Sequence, residues 1–234
     1  MPCFKGHIEN VLEKSKCFID VGAHSGMYLD VAKENMKKGV ILAFEPNLWR
    51  ISKIKKLRLF LKNPKVKIKY INKVATNKKG ELYLYKDTIS REVKPERPPS
   101  VVNSVILDDY LNEKNIETPD VIKIDVEGGE FSVLDGCKKI ISKTKTHFFI
   151  EIHDEFLRKQ GLNSKDIFSY FDPKKYKHKI LFIKDGKPLE RNPFESEMKL
   201  LKEKGLTEGI LNKKIGNKVR KTRLIYIHFI PRIK

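Results

Sequence analysis

Apolar and polar positions recur along this chain with two different periods, and the switches between periods mark the elements. Cys17-Phe18-Ile19 is an apolar run that predicts a first strand over Phe18–Val21. From Met27 the apolar positions Tyr28, Val31, Ala32 and Met36 follow helical spacing, with Lys33, Glu34, Lys37 and Lys38 on the other face. Gly39 is the expected C-cap of that helix. Val40–Phe44 is continuously apolar, as a strand buried on both faces must be. A second helix is expected to turn Leu48, Ile51, Ile54, Leu57 and Leu61 inward, and Val66–Ile71 is a third strand. With a short entry helix at Ile8–Leu12, the order α-β-α-β-α-β predicts a parallel sheet.

The pattern then changes. Glu81–Lys86 alternates like an edge strand, and Val101–Leu107 is its expected partner. Between them 87–100 holds three prolines and reads as a variable loop. Asp108 is the expected N-cap of a helix over Tyr110–Lys114. Regular order returns with a fourth strand, Val121–Asp125, and a helix from Gly128 to Ile141 that buries Phe131, Leu134, Cys137 and Ile141. His147–Ile152 is a fifth strand, Ser164–Phe171 a helix, and Tyr176–Lys184 and Arg223–Ile230 the last two strands. About forty lysine-rich residues separate that pair, with a helical centre at Glu195–Lys204. A hairpin loop has roughly 2–5 residues, so 185–222 is expected to be a basic insertion in one domain spanning 1–234.

Composition adds bounds. The chain has 234 residues, 40% of them hydrophobic, which is enough for one α/β domain. Forty-nine Lys and Arg against thirty Asp and Glu give +19, a charge that attracts nucleic acid and other polyanions. A lysine-rich composition bias accounts for it equally well, since Gln occurs once, at Gln160. The three cysteines form no C-x-x-C, and Cys17 and Cys137 read as small core residues. The N-terminal segment has no unbroken apolar region, so no signal peptide is expected. No run approaches the roughly 20 apolar residues of a membrane span, and a cytoplasmic location follows as the default expectation.

The candidate chemistry sits at strand ends. Asp20 to Gly26 follows strand one, and its D-x-G-x-x-x-G spacing differs from the dinucleotide fingerprint and from a P-loop. The glycines let a ligand approach the backbone, and the next helix offers free N–H groups. Glu45 ends strand two, where a carboxylate can accept both hydroxyls of a ribose. Val74 and Ala75 follow strand three, beside an expected adenine. In the fourth strand, alternation puts Val121, Lys123 and Asp125 on one side. A lysine and an aspartate there are costly unless paired, and Asp125, Glu127 and Glu130 surround Gly128-Gly129 at a helix start.

DVGAHSG, AFEPN, VATNKKGELYLY, VILDDYL, DVIKIDVEGGEFSVLDG and FIEIHDE, in this order and spacing, resemble the FkbM family of S-adenosylmethionine-dependent methyltransferases over Cys17 to Glu155. The resemblance implies the class I Rossmann-like α/β fold, with helices on both faces of a mostly parallel sheet and an antiparallel C-terminal hairpin. It implies S-adenosylmethionine as cofactor, held by Asp20, Gly22, Ala23, His24, Gly26, Glu45, Pro46, Asn47, Val74, Ala75 and Asp125. Typical members carry Asn where this chain has His24. It also implies O-methylation of a hydroxylated sugar, glycan or natural product.

A hydroxyl acceptor needs a group to take its proton. The candidates are Asp125, Glu127, Glu151 and His153, with His153 the expected general base because imidazole titrates near neutral pH. Asp125, Glu151 and His153 are also a ligand set for Mg²⁺. The rival reading is an RNA 2′-O-methyltransferase, or a non-catalytic nucleic-acid-binding protein, drawn from the charge. Against the first, the last strand carries no acid. Against it too, the basic stretches hold few aromatic residues for base stacking, and against the non-catalytic reading stand the intact Asp20, Gly22, Glu45 and Asp125.

Overall fold

The apolar runs of the chain become neighbouring parallel strands buried on both faces. The computed structural model describes residues 5–57, 63–85, 88–90, 99–181, 183–184, 187–188, 212–215, 218–221 and 224–232. Its main sheet contains β1 (Cys17–Val21), β2 (Gly39–Phe44), β3 (Val66–Ile71), β4 (Val121–Ile124), β5 (His147–His153), β6 (Tyr176–Leu181) and β7 (Leu224–Pro231). The strand order is β6-β7-β5-β4-β1-β2-β3. β1 to β5 are parallel, and β7 runs antiparallel to both β5 and β6. Alternation splits each strand between two cores. Ile19, Leu42, Ile122 and Ile150 enter one, and Phe18, Ile41, Val121 and Phe149 the other. Burying each such side chain contributes about 1.5–3 kcal/mol.

Helices α1 (Lys5–Leu12), α2 (Met27–Asn35), α3 (Leu48–Leu57), α4 (Leu107–Glu113), α5 (Glu130–Asp135), α6 (Lys138–Ser142) and α7 (Asp154–Lys159) accompany the sheet, with a 3₁₀ helix at Ser164–Tyr170. A second sheet follows β3, in the order Val74–Ala75, Ser100–Val105, Gly80–Tyr85, Thr88–Ser90. The predicted pairing of the edge strand is present, with Leu82 opposite Val102.

Several local expectations are corrected. Gly39 does not cap α2, which ends at Met36 in extended backbone. It opens β2 instead at φ 134°, where a Cβ would lie 2.0 Å from the Lys16 carbonyl oxygen. The helix expected over 128–141 starts at Glu130 and breaks into α5 and α6. At the break Gly136 presses on the second sheet, and a Cβ there would stand 2.5 Å from the Thr76 carbonyl oxygen. Leu107 belongs to α4 rather than to a strand, and Asp108 does not cap α4. Its carboxylate accepts from Lys139 N (2.7 Å) and Ile140 N (3.0 Å), so it caps the first turn of α6 across space. On α3, Ile51 and Ile54 are buried while Leu48 and Leu57 face outward. The Ser164–Phe171 helix is 3₁₀.

Part of the loop expected at 87–100 is the strand Thr88–Ser90, Ser100 opens the strand Ser100–Val105, and 91–98, with two of the three prolines, lies outside the described residues. Most of 185–222 does too, including 195–204. Its described parts enter two antiparallel pairs, Ile183–Lys184 with Lys187–Pro188 and Asn212–Ile215 with Lys218–Lys221. Among the described residues no helix is long and apolar enough to cross a membrane.

Candidate active site

The parallel topology brings the ends of β1, β2, β4 and β5 to one edge, where open α/β sheets bind ligands. After β1 the chain folds back on its neighbours. Gly22 N and Ala23 N both donate to Phe44 O, at 3.0 and 3.1 Å. Gly22 has φ 81°, and a Cβ on it would lie 1.9 Å from the Asp125 carbonyl oxygen, so only glycine fits. His24 also has positive φ, 46°. Left-handed backbone is tolerated by Asn, Asp and His, so a turn that accepts Asn accepts this residue as well. Gly26, at φ 76°, leads into α2.

Glu45 is buried, 2% exposed, at the end of β2. Its Oε2 accepts from His24 N (2.8 Å) and its Oε1 from Asn47 N (3.0 Å), and Arg50 Nη1 lies 3.8 Å away. Burial pushes its carboxyl above the usual range against these contacts. Asn47 uses its side chain as the cap of α3, accepting from Trp49 N and Arg50 N at 3.0 and 3.3 Å. Pro46 is fixed through its carbonyl by Asn72 Nδ2 at 2.6 Å. Val74 is half-buried, and Ala75 packs into the core beside Ile71 and Val105.

Behind the turn lies a buried ion cluster. Lys123 Nζ sits 3.0 Å from Asp20 Oδ1 and 3.5 Å from Asp125 Oδ2, and donates to Gly22 O at 2.8 Å. Tyr28 presents its ring 5.2 Å from the same ammonium. Burial works against the charge on Lys123, but the two aspartates outweigh it and raise its pKa. Asp20, fully buried, therefore faces Lys123 rather than the open side of the turn.

Three of the four predicted catalytic residues meet. Asp125 follows β4, Glu151 and His153 share one face of β5, and atoms of all three lie within 4.8 Å of one another. His153 is anchored from behind, its Nδ1 lying 2.7 Å from Oε1 of the fully buried Glu130. That same oxygen accepts from Gly128 N at 3.0 Å. The other ring nitrogen faces Asp125 Oδ1 and Glu151 Oε1, each 3.7 Å away and beyond hydrogen-bond length. Tyr226 OH, from β7, donates to Glu151 Oε1 at 2.9 Å. Burial and the charge of Asp125 push the Glu151 carboxyl up to about 7. Burial disfavours a charged His153, but Glu130, Asp125 and Glu151 together raise it above the usual imidazole value. Glu127 is exposed, on left-handed backbone at φ 51°, and stays outside this cluster.

Glu130, Lys123 and Tyr226 are the residues absent from the predicted site set. Glu130 was legible only as one of three acids at a helix start. Lys123 was legible as a costly lysine on an apolar strand. Tyr226 carried no signal, because its partner is 75 residues away in sequence. A cavity of about 570 Å³ between α5, α6 and the 3₁₀ helix is lined by Phe131, Tyr170 and Tyr176 among others, and contains none of the predicted site residues.

Comparisons with known proteins bear on the fold and the family. No curated protein matches the sequence. Among solved structures, the methyltransferase FkbM from Methylobacillus flagellatus KT is 18% identical, with a TM-score of 0.47 over 72% of this chain and 40% of that one. The present chain thus spans two fifths of that protein. An rRNA methylase from Streptococcus thermophilus is 11% identical, with a TM-score of 0.51 over 96% of this chain and 94% of that one. A candidate O-methyltransferase from Klebsiella pneumoniae is 9% identical, with a TM-score of 0.51 over 97% and 78%. These likenesses above 0.5 show the class I Rossmann-like methyltransferase fold. The family model of the methyltransferase FkbM domain matches residues 20–180, more than half of the chain. The chain belongs to the methyltransferase FkbM domain family.

Proposed function

We propose that this protein is an S-adenosylmethionine-dependent O-methyltransferase acting on a hydroxyl of a sugar, glycan or small natural product. The observation that carries the reading is the ring of His153, anchored through Nδ1 on Glu130 with its free edge turned to Asp125 and Glu151. The residues after β1 and β2 fit the cofactor. Gly22 lets the turn after β1 close tightly on the Asp125 carbonyl at the end of β4, and the Glu45 oxygens keep lone pairs for ribose hydroxyls beyond the two backbone donors they bind. When bound, S-adenosylmethionine supplies a methyl group on a positively charged sulfur.

His153 takes the acceptor's proton at Nε2 as the new O–C bond forms and the S–C bond breaks. Glu130 holds the resulting imidazolium and fixes the ring's tautomer, as a carboxylate behind a catalytic histidine does. Lys123 and Asp20 hold the Asp125 and Gly22 segments together, so the acceptor end and the cofactor turn keep one geometry.

A second reading rests on the same two 3.7 Å separations. Cis ligand atoms about 2.1 Å from an octahedral Mg²⁺ lie about 3.0 Å apart, so the three side chains would draw together by about 0.7 Å to hold one. A divalent cation such as Mg²⁺ on Asp125, Glu151 and His153 would then activate the hydroxyl in place of the base. Chelation separates the two. Turnover unaffected by EDTA but lost in His153→Ala supports the base, whereas turnover lost on chelation and restored by Mg²⁺ supports the cation. For the acceptor, an RNA 2′-hydroxyl is the alternative that the +19 charge favours. Labelled methyl donor offered with glycan, small-molecule and RNA fractions distinguishes them.

A further inference from the structure

The positive charge of the chain is concentrated. Between Glu45 and Glu81 the sequence holds twelve Lys and Arg and no Asp or Glu. Thirty acids spread evenly over 234 residues would place four or five in those 35 positions (30 × 35/234). A uniform lysine bias does not produce that gap. The segment supplies α3 and β3, and β3 is an edge of the main sheet.

The same helix carries the three most exposed large apolar side chains among the described residues: Trp49 at 68%, Leu48 at 65% and Leu57 at 64%. Ile51 and Ile54 face the protein, so Trp49 lies on the outward side of α3 with Leu48 and Leu57 exposed at its two margins. Cations share that side. Lys53 Nζ lies 5.2 Å from the centre of the Trp49 ring, and Lys56 is exposed. Thus an outward face that hydration alone would leave polar carries Leu, Trp, Leu and lysines.

We propose that the outward face of α3 docks on an anionic phospholipid membrane surface, Trp49, Leu48 and Leu57 entering the headgroup boundary and the lysines pairing with lipid phosphates. Trp and Lys are the residues that rest at such a boundary, each having an apolar body and a polar end. Basic residues near an anionic leaflet are drawn to its negative surface potential. A nucleic acid would use the lysines and stack on Trp49, but has no use for two exposed leucines, so the apolar pair favours the bilayer. Leu48 stands three residues after Glu45, which puts the cofactor edge of the sheet next to the docked surface.

Trp49 is the only tryptophan in the chain, so its emission reports on this face alone. The full chain is titrated with phosphatidylcholine vesicles, with vesicles containing 30% phosphatidylglycerol, and with a single-stranded oligoribonucleotide. The expected result is a blue shift and bromolipid quenching with the anionic vesicles only. Lys53→Glu/Lys56→Glu should weaken vesicle partition at least tenfold, and Leu48→Ser/Leu57→Ser should reduce the shift. Both variants should keep the wild-type circular dichroism and methyl-transfer rate. No shift with anionic vesicles overturns the proposal, as does a shift produced by the oligoribonucleotide but not by vesicles.

Discussion

Lys123 Nζ lies 3.0 Å from Asp20 Oδ1, both side chains are at most 2% exposed, and the pair joins β4 to β1 at the centre of the sheet. A charge removed so far from water is tolerable only while its partner remains. Lys123→Met leaves Asp20 buried and unneutralised, and should cost about 3–5 kcal/mol. Urea unfolding followed by circular dichroism measures this. A loss under about 1 kcal/mol would mean that water, rather than Lys123, satisfies Asp20.

The Glu130 carboxylate stabilises protonated His153, so its removal lowers the imidazole pKa. A base works only when unprotonated, so activity in the wild type should rise with pH through an apparent value above 6.5. Because Glu151 titrates nearby, that value belongs to the pair. Glu130→Gln should move the acid limb to lower pH and reduce kcat about 10–100-fold, as loss of a residue behind a catalytic ligand does. A Glu130→Gln enzyme with an unmoved acid limb would remove the assigned role.

Gly22→Ala sets a Cβ on the Asp125 carbonyl oxygen and strains backbone at φ 81°. Cofactor affinity should fall more than stability, because the displaced segments are the turn and the start of the Asp125 loop. Calorimetric titration with S-adenosylhomocysteine should show at least a tenfold weaker Kd, and unchanged binding would place the cofactor elsewhere.

At the other end of β5, His228 stacks on Phe149 with ring centres 3.9 Å apart, and bonds His147 Nδ1 through Nε2 at 3.0 Å. Burial, with the positive charge of His147, His7, Lys179 and Lys177, pushes its pKa down to about 2. The unfolded chain takes up a proton near the ordinary 6.5 while the folded one does not. Stability should therefore fall as pH drops below 6.5, by about 2 kcal/mol at about pH 5 from this residue. His228→Phe should flatten that slope in thermal melts at pH 7 and pH 5.

The parallel core was legible because strands buried on both faces cannot alternate, as Val40–Phe44 and Val121–Ile124 show. The turn after β1 and the buried Glu45 that meets it were legible because Gly22 and Glu45 are local features with a fixed offset. What stayed hidden depends on packing between distant segments. Thr76 packs so closely on Gly136 that no side chain fits there, Asp108 caps a helix thirty residues away, and Glu151 is held by Tyr226 from the last strand. The outward turn of Leu48 and Leu57 was hidden too, since apolar spacing predicts burial. So was the exposure of Trp49.

In the proposed reaction, methyl transfer from S-adenosylmethionine to a hydroxyl runs through His153. The most direct measurement is transfer of labelled methyl to glycan, small-molecule and RNA fractions by wild type and His153→Ala, each shown by calorimetry to bind the cofactor. Label is expected on a hydroxyl in the glycan or small-molecule fraction, reduced at least 100-fold in His153→Ala with cofactor affinity unchanged. Label in RNA alone, or an undiminished rate in His153→Ala, would contradict it.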